Sequence, residues 1–200
     1  KEQTFMAGQA TSLNNLALIE IERKNFIQAE KFFREALEIR KLRNDKSDKP
    51  HSYLSWAELY HKWGKFNRIS TMCDSSDIAV KSYIISDKSI ESRYLGMAEQ
   101  YRGIFYDHFG NQIKSVSSFN KALEYYEKLP IEKTRLLSII SSLKFERGEL
   151  SEALSNINEA LSIAYEQGLN REKINLLDDK KEILYKLGDL VRVQSVNEEL

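Results

Sequence analysis

The sequence predicts an all-α chain, an α-solenoid of about five stacked helical hairpins. First, a helix, a Gly-centred turn and a second, small-residue helix recur. Leu16, Ala17, Phe26, Ala29, Phe33 and Ala36 have counterparts in Gly148, Leu150, Ala153, Ile157 and Ala160, and again in Gly188, Leu190 and Val193. Self-similarity of this kind marks repeat arrays, in which each unit buries its apolar face only against its neighbours. Second, the apolar residues recur at helical spacing. Third, two prolines and eight glycines in 200 residues leave little room for strands or linkers.

The elements follow in order. From Phe5 to Arg23, Leu13, Leu16, Ala17 and Glu20 are expected on one stripe beside Leu18 and Ile21, making the first helix. After a turn at Lys24-Asn25, Phe26, Ala29, Phe33, Ala36 and Leu37 repeat at spacings of three and four up to about Arg43. Asn25 is expected to take the left-handed backbone that ends a helix, the role Gly plays elsewhere. Aligned on this turn, the markers are Lys24, Gly64, Gly110, Gly148 and Gly188, separated by 40, 46, 38 and 40 residues. An aromatic or aliphatic residue follows the turn in four units (Phe26, Phe66, Leu150, Leu190). A small or apolar one comes three residues later (Ala29, Ile69, Ser115, Ala153, Val193). The expected units are 5–43, 51–87, 91–128, 133–167 and 172–200, forming one array over 1–200. Polar links at 42–49 before Pro50, 86–89, 128–132 around Pro130 and 167–171 around Gly168 each contain a helix stop.

Thirty basic and thirty acidic residues cancel, so no global field attracts a phosphate backbone or an anionic bilayer, and direct nucleic-acid binding is not expected. Hydrophobic content of 42% suffices for a substantial core. No run reaches the roughly 18 apolar residues of a membrane helix. The start, KEQTFMAGQATS, has neither the basic opening nor the apolar stretch of a signal peptide. Because the chain begins with Lys1, it is expected to be a piece of a longer protein. A cytoplasmic location is expected, with a periplasmic sensor domain as the alternative. The lone Cys73, flanked by Ile69 and Met72, is expected to be buried and inert.

Catalysis needs a convergent acid, base or nucleophile, and the sequence holds no phosphate loop, HExxH, paired cysteines or GxSxG. His51 and His61, ten residues apart on one helix, would be separated by about 15 Å, too far to share a metal; with His108 they are expected exposed or lining a groove. No cofactor and no metal are expected. The run Asp178-Asp179-Lys180-Lys181 is read as a solvated helix face.

The pattern resembles the tetratricopeptide repeat. Ala17 and Ala57 match the small residue of that family's first helix, Tyr60 and Tyr106 its later aromatic, and Gly64, Gly110, Gly148 and Gly188 its turn glycine. Ala36, Ala122 and Ala160 match the last small residue of its second helix. HEAT-type repeats have a similar length but lack the turn glycine. The units run longer than the family's 34 residues, a variant familiar in bacterial signalling proteins. Unit two departs from the pattern at Cys73 and Ser76, and unit five at Lys180 and Lys181, which puts its first helix in question.

The resemblance implies a right-handed superhelix whose first helices line a concave face. Asn14, Leu18, Ser55, Glu58, His61, Lys62, Gln100, Tyr101, Ile104, His108, Arg135, Ser142 and Phe145 are accordingly assigned to a protein- or peptide-binding wall. The basic clamp of chaperone-tail binders is absent, its places holding Asn14, Leu18, Ser55, Met97 and Tyr101. The resemblance implies a non-enzymatic binding module, the sensing or scaffolding part of a bacterial signalling or transcription-regulatory protein. The alternative is a peptide-pheromone-responsive regulator or phosphatase-like receptor, whose N-terminal catalytic bundle is missing here. At the far end, Leu190, Val193 and Val196 are expected to form an uncovered apolar stripe, met by a continuation of the chain or by a second copy in a homodimer.

Overall fold

The computed structural model describes residues 2–43, 48–82 and 85–199; Lys1, residues 44–47 of the first expected link, 83–84 and Leu200 lie outside them. The chain is 86% helical, with ten α-helices and no strand among the described residues. In chain order these are α1 (Glu2–Glu22), α2 (Phe26–Leu42), α3 (Lys49–Lys62), α4 (Ile69–Lys81), α5 (Lys88–His108), α6 (Gln112–Tyr125), α7 (Pro130–Glu146), α8 (Leu150–Glu166), α9 (Asn170–Leu187) and α10 (Leu190–Glu199). A single 3-10 turn, Phe66–Arg68, leads into α4. No helix among the described residues is long and apolar enough to cross a membrane.

Every hairpin reverses in the same way. The residue after the first helix is left-handed at Lys24 (φ 59°), Gly64, Gly110, Gly148 and Gly188. In each turn the next N–H reaches back five residues: Asn25 to Glu20, Lys65 to Tyr60, Asn111 to Tyr106, Glu149 to Lys144 and Asp189 to Leu184, at 2.8 to 3.0 Å. The left-handed residue itself donates to the carbonyl three back. This pair of bonds satisfies the last carbonyls of the first helix and aims the chain into the second. Contrary to the expectation for Asn25, Lys24 carries the left-handed backbone, while Asn25 sits at φ −89° and donates from its amide to Glu20. The constraint belongs to the position in the motif, and Lys24 occupies it at the steric cost glycine avoids.

The chain divides into two compact units, 1–122 and 123–200. In the first, Ala17, Ile21, Ala29, Phe33 and Leu59 form a core flanked by Phe26, Trp56 and Trp63. The buried stripe of α1 runs Ala10, Asn14, Ala17, Ile21, whereas Leu16 is exposed. Small side chains let α2 approach α1 closely, which turns the expected Leu13–Leu16–Glu20 register aside. Asp74 and Asp77 of α4 and Glu99 of α5 all accept from Arg102 of α5, pinning the two helices together. Cys73 and Ser76, the departures of the second repeat, are fully buried small residues on α4, and burial pushes the Cys73 thiol up to about 12. The approach of α5 to α6 is closer still: a Cβ added at Gly103 would lie 2.4 Å from the Phe119 ring.

In the second unit, Ala153, Ile157 and Ala160 of α8 pack with Leu137 of α7, and with Leu176, Leu177, Ile183 and Leu184 of α9. Helix α9 is continuous through Lys180 and Lys181, which lie half-buried on its flank while Leu176, Leu177, Ile183 and Leu184 face inward. The expected uncovered stripe at the end does not exist in that form. Val193 and Val196, 3% and 4% exposed, pack into the core against α9, and only Leu190 of the three stands in solvent. A helix with one narrow apolar stripe buries it against its own hairpin partner.

Two outcomes follow from these contacts. Replacing Gly103 by Ala should lower stability by about 1–3 kcal/mol through overpacking on Phe119. Replacing Gly8, which is helical with open space around it, should raise stability by about 0.4–1 kcal/mol. Thermal melts of the two variants check this, and a shift of the same sign for both would place the α5–α6 contact elsewhere. Lys24→Gly should raise stability by about 1 kcal/mol by relieving the left-handed lysine, whereas a drop on denaturant unfolding would show that the lysine is unstrained at that turn.

Candidate functional site

Of the residues assigned to a binding wall, Asn14, Ser55, Tyr101 and Ile104 are buried. The same spacing that places a residue beside the core stripe places these four within it. Leu18, Glu58, His61, Gln100 and Phe145 are half-buried, and Lys62, His108, Arg135 and Ser142 are exposed.

In the first unit, α3 and α5 bring several of these together around a ring that the sequence marked only as the apolar residue after a turn. Phe66, just past the α3 turn, stacks on His108 at the end of α5 with centroids 3.7 Å apart, and His61 meets its edge at 5.8 Å. His61 also faces the Tyr101 ring at 6.3 Å, and Phe109, 57% exposed, lies edge-on to His108. Burial and the neighbouring Lys62 hold the His61 imidazole below its ordinary range, favouring the neutral ring. On the same helix, burial raises the Glu58 carboxyl, with Lys62 opposing and Glu22 adding to the effect. The result is an aromatic patch with a charged shoulder at Lys62.

The second unit holds the better-formed cavity. Helices α7 and α9 lie parallel, as successive bonds show: Arg135 donates to Glu172 at 2.8 Å and, farther along both helices, Ser138 donates to Asp179 at 2.9 Å. Between the helices lie two hollows. The first, about 490 Å³, is lined by Thr134, Arg135, Ser138, Ile139, Arg171, Glu172, Asn175 and Leu176. The second, about 270 Å³, is lined by Ser141, Ser142, Phe145, Glu146, Asp179, Glu182 and Ile183. Burial raises the Glu172 carboxyl's cost of charge, yet the Arg135 hydrogen bond and the nearby Arg171 hold it below its usual range. Burial pushes the Asp179 carboxyl up, against the Ser138 bond. Asp179 is therefore half-buried in the cleft, not on the solvated face expected for the 178–181 run; Lys181 does pair outward with Asp178.

Arg135, Ser142 and Phe145, expected on a binding wall, lie along this cleft; the facing wall of α9 was not among the expected residues. Its signal was present as spacing: Glu172, Asn175, Asp179 and Glu182 recur at three and four, as do Arg135, Ser138, Ser142 and Phe145. Lys180 and Lys181 interrupt the apolar pattern of that helix and obscure the spacing.

Residues 9–42 match the tetratricopeptide repeat family model. No curated protein matches the chain in sequence. Among solved structures, the chain is similar to BtubC from P. vanneervenii, at 15% identity and a TM-score of 0.69 over 97% of this chain and 79% of that one. It is similar to aspartyl phosphate phosphatase F from Bacillus subtilis at 15% identity and a TM-score of 0.77, over 100% of this chain but 51% of the phosphatase. A third is a signal transduction ATPase with numerous domains from Pyrococcus horikoshii, which has a tetratricopeptide repeat sensor. There the identity is 15% and the TM-score 0.65, over 97% of this chain and 30% of the ATPase. Residues 9–42 therefore form a tetratricopeptide repeat, and the later hairpins share the fold of that repeat.

Proposed function

We propose that the chain is a non-catalytic protein- or peptide-binding module that supplies the sensing or scaffolding part of a bacterial signalling or regulatory protein. The observation that carries this reading is the cleft between α7 and α9, whose walls are side chains of two first helices mixing hydroxyls, charges and the apolar surfaces of Ile139 and Phe145. An extended peptide needs donors and acceptors for its backbone and shallow apolar hollows for its side chains, and this wall offers both. The polar side chains bind and orient; they do not converge on one reacting atom. Likeness to the sensor-bearing ATPase supports the signalling context.

The full-length likeness to half of an aspartyl phosphate phosphatase favours a second reading, a peptide-responsive regulator of the phosphatase type. The two readings differ in turnover. The first expects no hydrolysis of an aspartyl-phosphorylated response regulator; measurable release of phosphate would favour the second.

Binding in the cleft is tested by placing a large side chain in it. Ser142→Arg should weaken binding of peptides selected from a random displayed library at least tenfold, whereas Glu159→Arg, on the exposed face of α8, should leave it unchanged with equal melting temperatures for both. Loss with Glu159→Arg alone would move the binding site to the second-helix face.

A further inference from the structure

The cleft between α7 and α9 is electrically polarised along its length. Arg135 and Arg171 stand at its first hollow, near the N-termini of both helices. Glu146, Asp179 and Glu182 line its second hollow, toward the C-termini. Because the helices are parallel, their dipoles add to the side chains: partial positive charge at the arginine end, partial negative charge at the carboxylate end. One carboxylate, Glu172, tempers the first end through its bond to Arg135, while no lysine or arginine lines the second.

We propose that this cleft selects an extended peptide carrying an acidic side chain at the Arg135–Arg171 end and a basic side chain at the Glu146–Glu182 end. The inference rests on the peptide-binding reading and adds its specificity. Arg135 and Glu146 are eleven positions apart on α7, about 16 Å along a helix. An extended chain advances roughly 3.3 Å per residue, so the two charges of the ligand lie about five residues apart. Between them the apolar surfaces of Ile139 and Phe145 take uncharged side chains, and the exposed Asn175 offers hydrogen bonds to the ligand backbone. Peptides of one sign only meet repulsion at one end of the cleft, which gives selectivity by exclusion as well as by attraction.

The test is selection of a random peptide library, displayed on phage, on the full chain, followed by anisotropy measurements with the retained sequences. The wild-type pool should be enriched in acid–base pairs separated by four to six positions. Arg171→Glu should replace the acidic member by a basic one, and Glu182→Lys should replace the basic member by an acidic one. Retained peptides without the charge pair, or pools unchanged by both reversals, would overturn this specificity and leave peptide binding standing. A chain that retains no peptide at all would overturn both readings together.

Discussion

The fold depends on residues too small to hold two helices apart. Ala17, Ala29 and Ala36 in the first hairpin, and Ala153 and Ala160 in the fourth, are wholly buried, which lets helix axes come to about 8–10 Å. Gly103 against Phe119 is the extreme case, where even a methyl group has no space. Close approach in turn buries Phe33 within the first unit and Ile157 with Leu184 within the second, each burial stabilising by about 1.5–3 kcal/mol. A larger residue at any of these points costs the contact of the whole pair, because neighbouring helices are each other's only cover.

The same geometry determines what is left for function. A helix clamped on its small-residue stripe must show its other faces, and the faces of α7 and α9 that turn toward one another are separated enough to leave a cleft. Polar residues there are arranged by the helices they belong to. Arg135 and Glu172 pair because they fall on facing turns, and Ser138 reaches Asp179 one step farther on. The charge pattern of the cleft has the same sense along its length as the helix dipoles, because α7 and α9 pack parallel.

Legibility differed between fold and site. The hairpin count and all five turns could be read from spacing, since a left-handed residue followed by a helix leaves a short, local signature, although at the first turn that residue is Lys24 and not Asn25. The starts at Pro50 and Pro130 were equally local. Facing residues were harder. Asn14, Ser55, Tyr101 and Ile104 lie within a helical turn of the groove face, so a rotation of one position separates wall from core; the register of α1, set by alanines over leucines, shows how easily larger side chains mislead. Phe66 was legible as the apolar residue after a turn, but its stacking on His108 joins positions in two repeats and has no local mark.

By itself, the sequence determined the class, the number of hairpins, the position of each reversal and the burial of Cys73, because backbone conformation and helical periodicity act over a few residues. The tertiary structure decided which face of each helix is covered, that Val193 and Val196 turn inward, and that arginines gather at one end of the α7–α9 cleft and carboxylates at the other. Those outcomes depend on the rotation of each helix about its axis, and that rotation is set by the helices packed against it.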